Sequence, residues 1–154
     1  IDDLKGKRVA FVKSSTAAHL VPLGMLAEEK ITLEMIKPIY FPSQEQVIRA
    51  VMVGKADAGA VKSGLFEIFM KKGLKSIKIS SPLPNFVFCA SNRVPEQVIK
   101  AFTDALIKIK PLTNPKHMKL TERWDHEIRN GFKLPHASYV KDASKILEYE
   151  KLVK

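Results

Sequence analysis

The chain has 154 residues, 45% of them hydrophobic, and a formal net charge of +10, which fits one ordinary domain or two small lobes with a packed core. No apolar run is long enough to span a bilayer. The basic balance disfavours cationic ligands and allows a small anion, an anionic membrane surface or nucleic acid. Nucleic acid is not the expected partner, because no zinc-finger spacing, basic zipper or basic-aromatic RNA-binding signature is present. The chain opens at Ile1 with neither Met nor a secretory leader pattern, and reads as a mature product or an excised segment. Its single cysteine, Cys89, cannot form an intramolecular disulfide and is expected as a small buried hydrophobe in the apolar run 86–90.

The polar turn Asp3-Leu4-Lys5-Gly6-Lys7 precedes the apolar run Val9-Ala10-Phe11-Val12, the pattern of a strand buried on both faces. Ser14-Ser15-Thr16 follows, and a helical pattern starts near Ala17. A strand that ends in hydroxyl residues and turns into a helix leaves several N–H groups without intrahelical acceptors. The helix dipole adds about half a positive charge there, so the junction suits an oxyanion. The simpler reading is an N-cap that satisfies one orphan amide. Residues 19–29 continue the helix, with Pro22 expected to kink or restart it.

Residues 35–41 read as an edge or irregular strand because they contain Pro38. Ser43 is placed as the N-cap of a helix whose inward stripe is Val47, Ile48, Val51 and Met52, with Gly54 as its C′ residue. Residues 54–61 form a turn into a short strand of small residues, which would let a helix or a ligand approach the backbone closely. Lys62-Ser63-Gly64 is a further strand-to-helix junction, with Ser63 expected to cap helix 65–70. Ile77-Lys78-Ile79-Ser80 is read as another strand. Asp57 is expected to cap backbone amides in a turn rather than act as a catalytic acid.

This alternation predicts an α/β fold with a mostly parallel sheet flanked by helices. Ligands of such sheets bind beyond the carboxyl ends of the strands. Ser14, Ser15, Thr16, Ser43, Gln44 and Lys62 all fall at such ends.

Ser81-Pro82-Leu83-Pro84-Asn85 breaks the pattern and marks the expected division into residues 1–85 and 86–154. An apolar strand is expected through 86–90. A long amphipathic helix then starts at Pro95-Glu96, with Val98, Phe102, Leu106 and Ile109 inward and Pro111 as its stop. Trp124 is the one large apolar anchor of a looser stretch, residues 131–139 suggest a wrapping loop, and Asp142 is expected to cap a last helix. His19 reads as a surface or packing residue. His117, His126 and His136 lack metal-ligand spacing, and no nucleophilic triad can be assembled, so neither a metal, a cofactor nor catalysis is expected.

With these residues placed, the chain resembles phosphonate/phosphate-type periplasmic substrate-binding proteins of the type 2 periplasmic-binding-protein fold. The strand at 9–12 with Ser14-Ser15-Thr16 resembles the family's strand and Ser-Thr-Ser-like turn. Ser43-Gln44-Glu45 is similar to its Ser-His-Asp helix start, and residues 54–61 to its Gly-Lys-Val-Asp-Ala-Gly-Ala-Val block. Residues 81–85 are similar to its crossover. The likeness covers residues 3–109 well and the remainder loosely.

The resemblance implies a small oxyanion ligand gripped by Ser15 and Thr16 with Ser14 beside them, and Gln44 where the family has a donating His. Ala17 replaces the last hydroxyl of the turn. Lys62 stands where the family often has Asp or Asn for a ligand amine, which argues for phosphate, phosphite or a simple phosphonate. The resemblance also implies an extracytoplasmic location and delivery to an ABC transporter permease. An alternative is a periplasmic sensor domain fused to signalling modules, as in a membrane histidine kinase. The family's first lobe would precede Asp3. The chain is therefore expected to be a fragment holding the second lobe and the return into the first, or to borrow a partner such as a second copy.

Overall fold

β1 (Arg8–Val12) is the strand on which the others pair. Its three central residues Val9, Ala10 and Phe11 are all buried, as a strand covered on both faces requires. The computed structural model describes residues 1–83, 87–125 and 127–152. β2 (Lys37–Phe41) and β3 (Ala58–Gly59) flank β1 in parallel, in the order β2-β1-β3. Arg8 lies opposite Lys37, Val12 opposite Phe41, and Val9 opposite Ala58. The α-helices among the described residues are α1 (Val21–Glu28), α2 (Gln44–Met52), α3 (Ser63–Met70), α4 (Glu96–Lys108), α5 (Pro115–Thr121) and α6 (Tyr139–Glu148). The chain separates into two compact units, Ile1–Leu83 with Lys141–Lys154, and Pro84–Val140.

In the first unit, α1 and α2 are the crossovers that parallel pairing demands. Side chains alternate along β1, so Val9 and Phe11 join Leu23, Leu26, Ile31 and Ile36 in one cluster. Ala10 joins Val47, Ala50 and Ala56 in a second cluster. The two helices therefore cover opposite faces of the sheet. α2 starts where Ser43 Oγ accepts from the Gln46 N–H at 3.4 Å, and Gly54 follows its end at φ +70°, the left-handed C′ position that glycine fills without strain.

The small residues of β3 serve helix approach. A Cβ on Gly59 would lie 2.6 Å from Val47 Cγ1 and 3.1 Å from Val51 Cγ2. At the amino end of the sheet, Arg8 and Asp57 tie β1 to the start of β3. The Asp57 carboxylate accepts from Arg8 Nη2 at 2.8 Å, Arg8 Nε at 3.1 Å and the Arg8 backbone N–H at 2.8 Å. The Asp57 N–H donates to the Arg8 carbonyl at 2.8 Å. Asp57 thus meets a backbone amide, as read from its turn, and also forms an ion pair that spans 49 residues of sequence.

Residues 141–154, grouped by sequence with the later segment, pack with this first unit. The Tyr149 ring fills the space where Gly24 has no side chain, and a Cβ at Gly24 would overlap it. The helix before it begins at Tyr139, so Asp142 lies in its first turn rather than at the cap. The strand expected at 77–80 does not form: Ile77 and Ile79 are exposed, and Lys78 instead pairs with Glu29. Its alternating pattern has no covering face to bury the two isoleucines.

In the second unit, α4 follows Pro95, and α5 starts where the Asn114 side chain accepts from the Lys116 N–H at 3.0 Å. Phe88 packs on Phe102 and Phe132 with ring centroids 5.4 and 5.3 Å apart, and Trp124 lies 6.3 Å from Phe132. The expected inward stripe of α4 is only partly covered, with Val98 and Phe102 about half exposed. Phe86 lies outside the described residues, and 87–90 form no strand. A lone strand has nothing to pair with, and the described residues of this unit supply no second one. Cys89 is exposed rather than buried, because the strand that would have covered it is not made.

Two outcomes follow. Gly59→Ala should destabilise the fold by about 1–3 kcal/mol in denaturant unfolding through overpacking, and Val47→Ala in the same chain should recover part of that loss. Hydrogen bonds from the Arg8 side chain, then its backbone, hold the Asp57 carboxyl well below the usual carboxylate range. That stability is present above the unfolded value of about 4 and is lost as pH falls toward the folded one. Asp57→Asn should therefore lower the neutral-pH melting point and flatten its decline below about pH 4.

Candidate functional site

β1 ends in an abrupt turn. The Ser15 N–H donates to the Val12 carbonyl at 3.1 Å, and Ser14 takes φ +61°. That left-handed conformation costs a residue with a Cβ about 1–2 kcal/mol. Ser15 returns to extended backbone at φ −86°, ψ 130°, and its Oγ accepts from the Ala18 N–H at 3.1 Å.

Residues Thr16–Leu20 then form one wide π-turn, in which the Leu20 N–H reaches the Ser15 carbonyl at 3.1 Å. Single π-turns are enriched at functional positions. α1 continues directly from it, with Pro22 in its first turn, so the proline restarts the helix as its missing N–H requires. The amides of Thr16 and Ala17 come before any intrahelical carbonyl could receive them. They sit at the positive end of the helix. Ser14 and Thr16 are exposed and Ser15 is half-buried.

The other two junctions share this edge, because all three strands run the same way and neighbours are about 4.8 Å apart. Gln44 Oε1 accepts from the Lys62 N–H at 2.7 Å, which joins the segments that follow β2 and β3. Lys62, not Ser63, occupies the cap position of α3. The Gln44 side chain therefore satisfies the amide that a capping serine would leave to others.

Ser43 is committed to α2. It accepts from Gln46, and with the Glu45 backbone N–H it lowers the Glu45 carboxyl, the backbone bond being the larger cause. The structure thus brings Ser14, Ser15 and Thr16 together in one turn and joins Gln44 to Lys62. Ser43 is placed as a helix cap.

The strand order adds a further point. α1 leaves β1 toward one face, while the β2–β3 crossover α2 covers the other. The connections diverge between β1 and β3, which is the switch point where ligands of open parallel sheets bind.

His19 packs beneath the turn. It is 3% exposed, its ring meets Tyr40 edge-on at 5.2 Å and Phe11 at 5.7 Å, and both ring nitrogens lack a hydrogen-bond partner. Burial pushes its pKa down. Sequence reading placed it as surface or packing, and it packs. Among the described residues no group of three or more His, Cys, Asp or Glu could hold a metal ion.

The hydroxyl-lined turn lies at a helix start on the switch edge of a parallel sheet, where orphan amides and the helix dipole favour negative charge. The family model for the periplasmic phosphonate substrate-binding protein of ABC transporters matches residues 1–139. The chain belongs to this family. No curated protein matches the chain. Among the described residues no helix is long and apolar enough to cross a membrane. The family is one of substrate-binding transport proteins, not of enzymes, and its periplasmic setting implies an extracytoplasmic location.

Three features of this edge have no local sequence signal. The left-handed Ser14 is not a glycine, the π-turn has no composition of its own, and the Gln44–Lys62 bond spans 18 residues. The sequence marks Ser14, Gln44 and Lys62 as strand-end residues, but not these conformations or this pairing.

Ser14→Val should cost about 1–2 kcal/mol, since a β-branched residue resists the left-handed region, whereas Ser14→Gly should stay near the parent in stability. The unfolded chain takes a proton on His19 as pH falls below about 6.5, while the folded chain resists it, so stability drops from that point downward. His19→Leu should flatten melting temperature between about pH 6.5 and 5.

Proposed function

We propose that this chain receives a small tetrahedral oxyanion of the phosphonate, phosphite or phosphate class at the β1 edge and delivers it to an ABC transporter permease. The observation that carries the reading is the Ser15-capped π-turn after β1, in a chain whose family is phosphonate-binding. In this reading Ser15, Thr16 and the first amides of the turn grip the anion, Ser14 stands beside them, and Gln44 and Lys62 approach from the neighbouring junctions. Ser43 contributes by fixing the start of α2. Lys62 would repel an amine through like charge, which favours simple anions over aminoalkyl phosphonates.

Residues 1–85 act as the ligand-binding lobe and 86–154 as the crossover and return segment of a first lobe, the end of which packs back on the 1–83 unit. We place the protein in the periplasm or its equivalent, with a homodimer as one way to complete the cleft.

The test is a thermal-shift panel at low salt with phosphate, phosphite, methylphosphonate and aminoethylphosphonate. A ligand at about 100 times its dissociation constant adds roughly 2.7 kcal/mol, or about 5–10 °C for a chain of this size. One of the first three should give that rise and aminoethylphosphonate a smaller one. Ser15→Ala with Thr16→Ala should remove the rise while costing about 1 kcal/mol of stability from the lost cap. An undiminished shift in that double variant would sink the assignment of these residues.

A further inference from the structure

Hydrogen bonds within the molecule decide which polarity the anion edge turns outward. The atom of Gln44 that meets the Lys62 N–H must be Oε1, because a donor faces it at 2.7 Å. The remaining Gln44 group is the Nε2 amide, which only donates. Ser15 Oγ already accepts from the Ala18 N–H, which leaves its hydroxyl proton to be given outward. The Thr16 and Ala17 amides are donors by nature.

Two carboxylates of these segments are held by other partners. Asp57 is locked to Arg8 at the amino end of β1, about 16 Å away along a five-residue strand. Glu45 is folded back on its own helix start, held by its backbone N–H and by Ser43. The hydroxyls of Ser14 and Thr16 can accept as well as donate, but as neutral groups they are weaker acceptors than a carboxylate.

We infer that the site selects oxyanions whose oxygens carry no proton, namely a fully ionised phosphonate or phosphite, that it accepts sulfate as well, and that it disfavours hydrogenphosphate. The inference rests on the oxyanion reading above and narrows it. The reason is the asymmetry of buried hydrogen bonds: a P–O–H pressed against donors loses its water and finds no strong acceptor. Sites that mismatch one polar group discriminate far more sharply than sites that mismatch one methylene. Exclusion of sulfate would need an acceptor for a ligand proton, and Asp57 and Glu45 are already held elsewhere.

The experiment is calorimetric titration with methylphosphonate, sulfate and inorganic phosphate at about pH 8 and about pH 6, spanning the region where phosphonates and phosphates take up a proton. Charged or titratable groups of the surrounding elements include Lys13, the buried His19, Glu28, Lys37, Tyr40, Glu45, Arg49, Lys62 and Glu67. Sulfate carries no proton at either pH and so controls for changes in any of them. Sulfate should bind within about tenfold of methylphosphonate at the higher pH and at least about tenfold tighter than phosphate. Methylphosphonate should weaken by about tenfold or more at the lower pH relative to sulfate.

Gln44→Glu keeps an oxygen for the Lys62 amide and replaces the donor with an acceptor. It should reverse the order, so that phosphate exceeds sulfate. Exclusion of sulfate while phosphate or methylphosphonate binds equally at both pH values would overturn this selectivity and leave the oxyanion reading standing. Failure of all three anions to bind would overturn the oxyanion reading and the selectivity with it.

Discussion

Parallel pairing about a doubly covered central strand is the constraint on which the rest of this molecule depends. β1 is buried on both faces, so its side chains can do nothing but pack, and only its ends reach solvent. Each parallel neighbour must be reached by a crossover. All the strand-to-helix junctions therefore collect on one edge, and the two helices that leave it cover opposite faces. Helix-start amides without intrahelical acceptors follow from that geometry alone. What the particular residues add is the polarity of the edge.

That polarity is set by internal bonds more than by net charge. The overall excess of +10 draws anions over distances comparable to the screening length, about 8–10 Å at ordinary salt. It does not tell one anion from another. In the proposed reading the close-range choice comes from Ser15 and Gln44, each of which uses an acceptor atom to satisfy a backbone N–H. Capping is thus compatible with the ligand contact proposed at Ser15. By taking the Ala18 amide on its oxygen, the hydroxyl is oriented to give its proton elsewhere. The Arg8–Asp57 pair lies at the opposite end of β1, away from the proposed anion edge.

Much of this frame was legible from local pattern. The buried run at 9–12, the Ser43 cap, the C′ Gly54 and the close helix approach at Gly59 each depend on a few neighbouring residues and general stereochemistry. Features that depend on distant partners were not legible. Ile77-Lys78-Ile79-Ser80 has the alternation of a strand, yet alternation does not supply a neighbour, and Lys78 found Glu29 instead. The run around Cys89 met the same limit, which left the thiol exposed. The cap of α3 was misread by one residue because its amide partner, Gln44, lies in another helix.

The order of the turn itself has a physical source outside the turn. Ser14 is held in a left-handed conformation that serine does not prefer, and His19 is buried with neither ring nitrogen bonded. Such costs persist only where the surroundings over-determine the geometry. Those surroundings are visible. Phe11 and Tyr40 hold the His19 ring from the sheet side, while Tyr149 seats on Gly24, with its hydroxyl 3.5 Å from Glu28 on the same helix. The helix that carries the turn is thus gripped along its length before any anion arrives. An anion meeting donors already in place does not have to order them, and rigid preorganisation of this kind raises affinity by removing that cost. In the proposed reading, the strain at Ser14 and the unbonded imidazole are two costs of one arrangement, in which the donors are fixed in advance of the ligand.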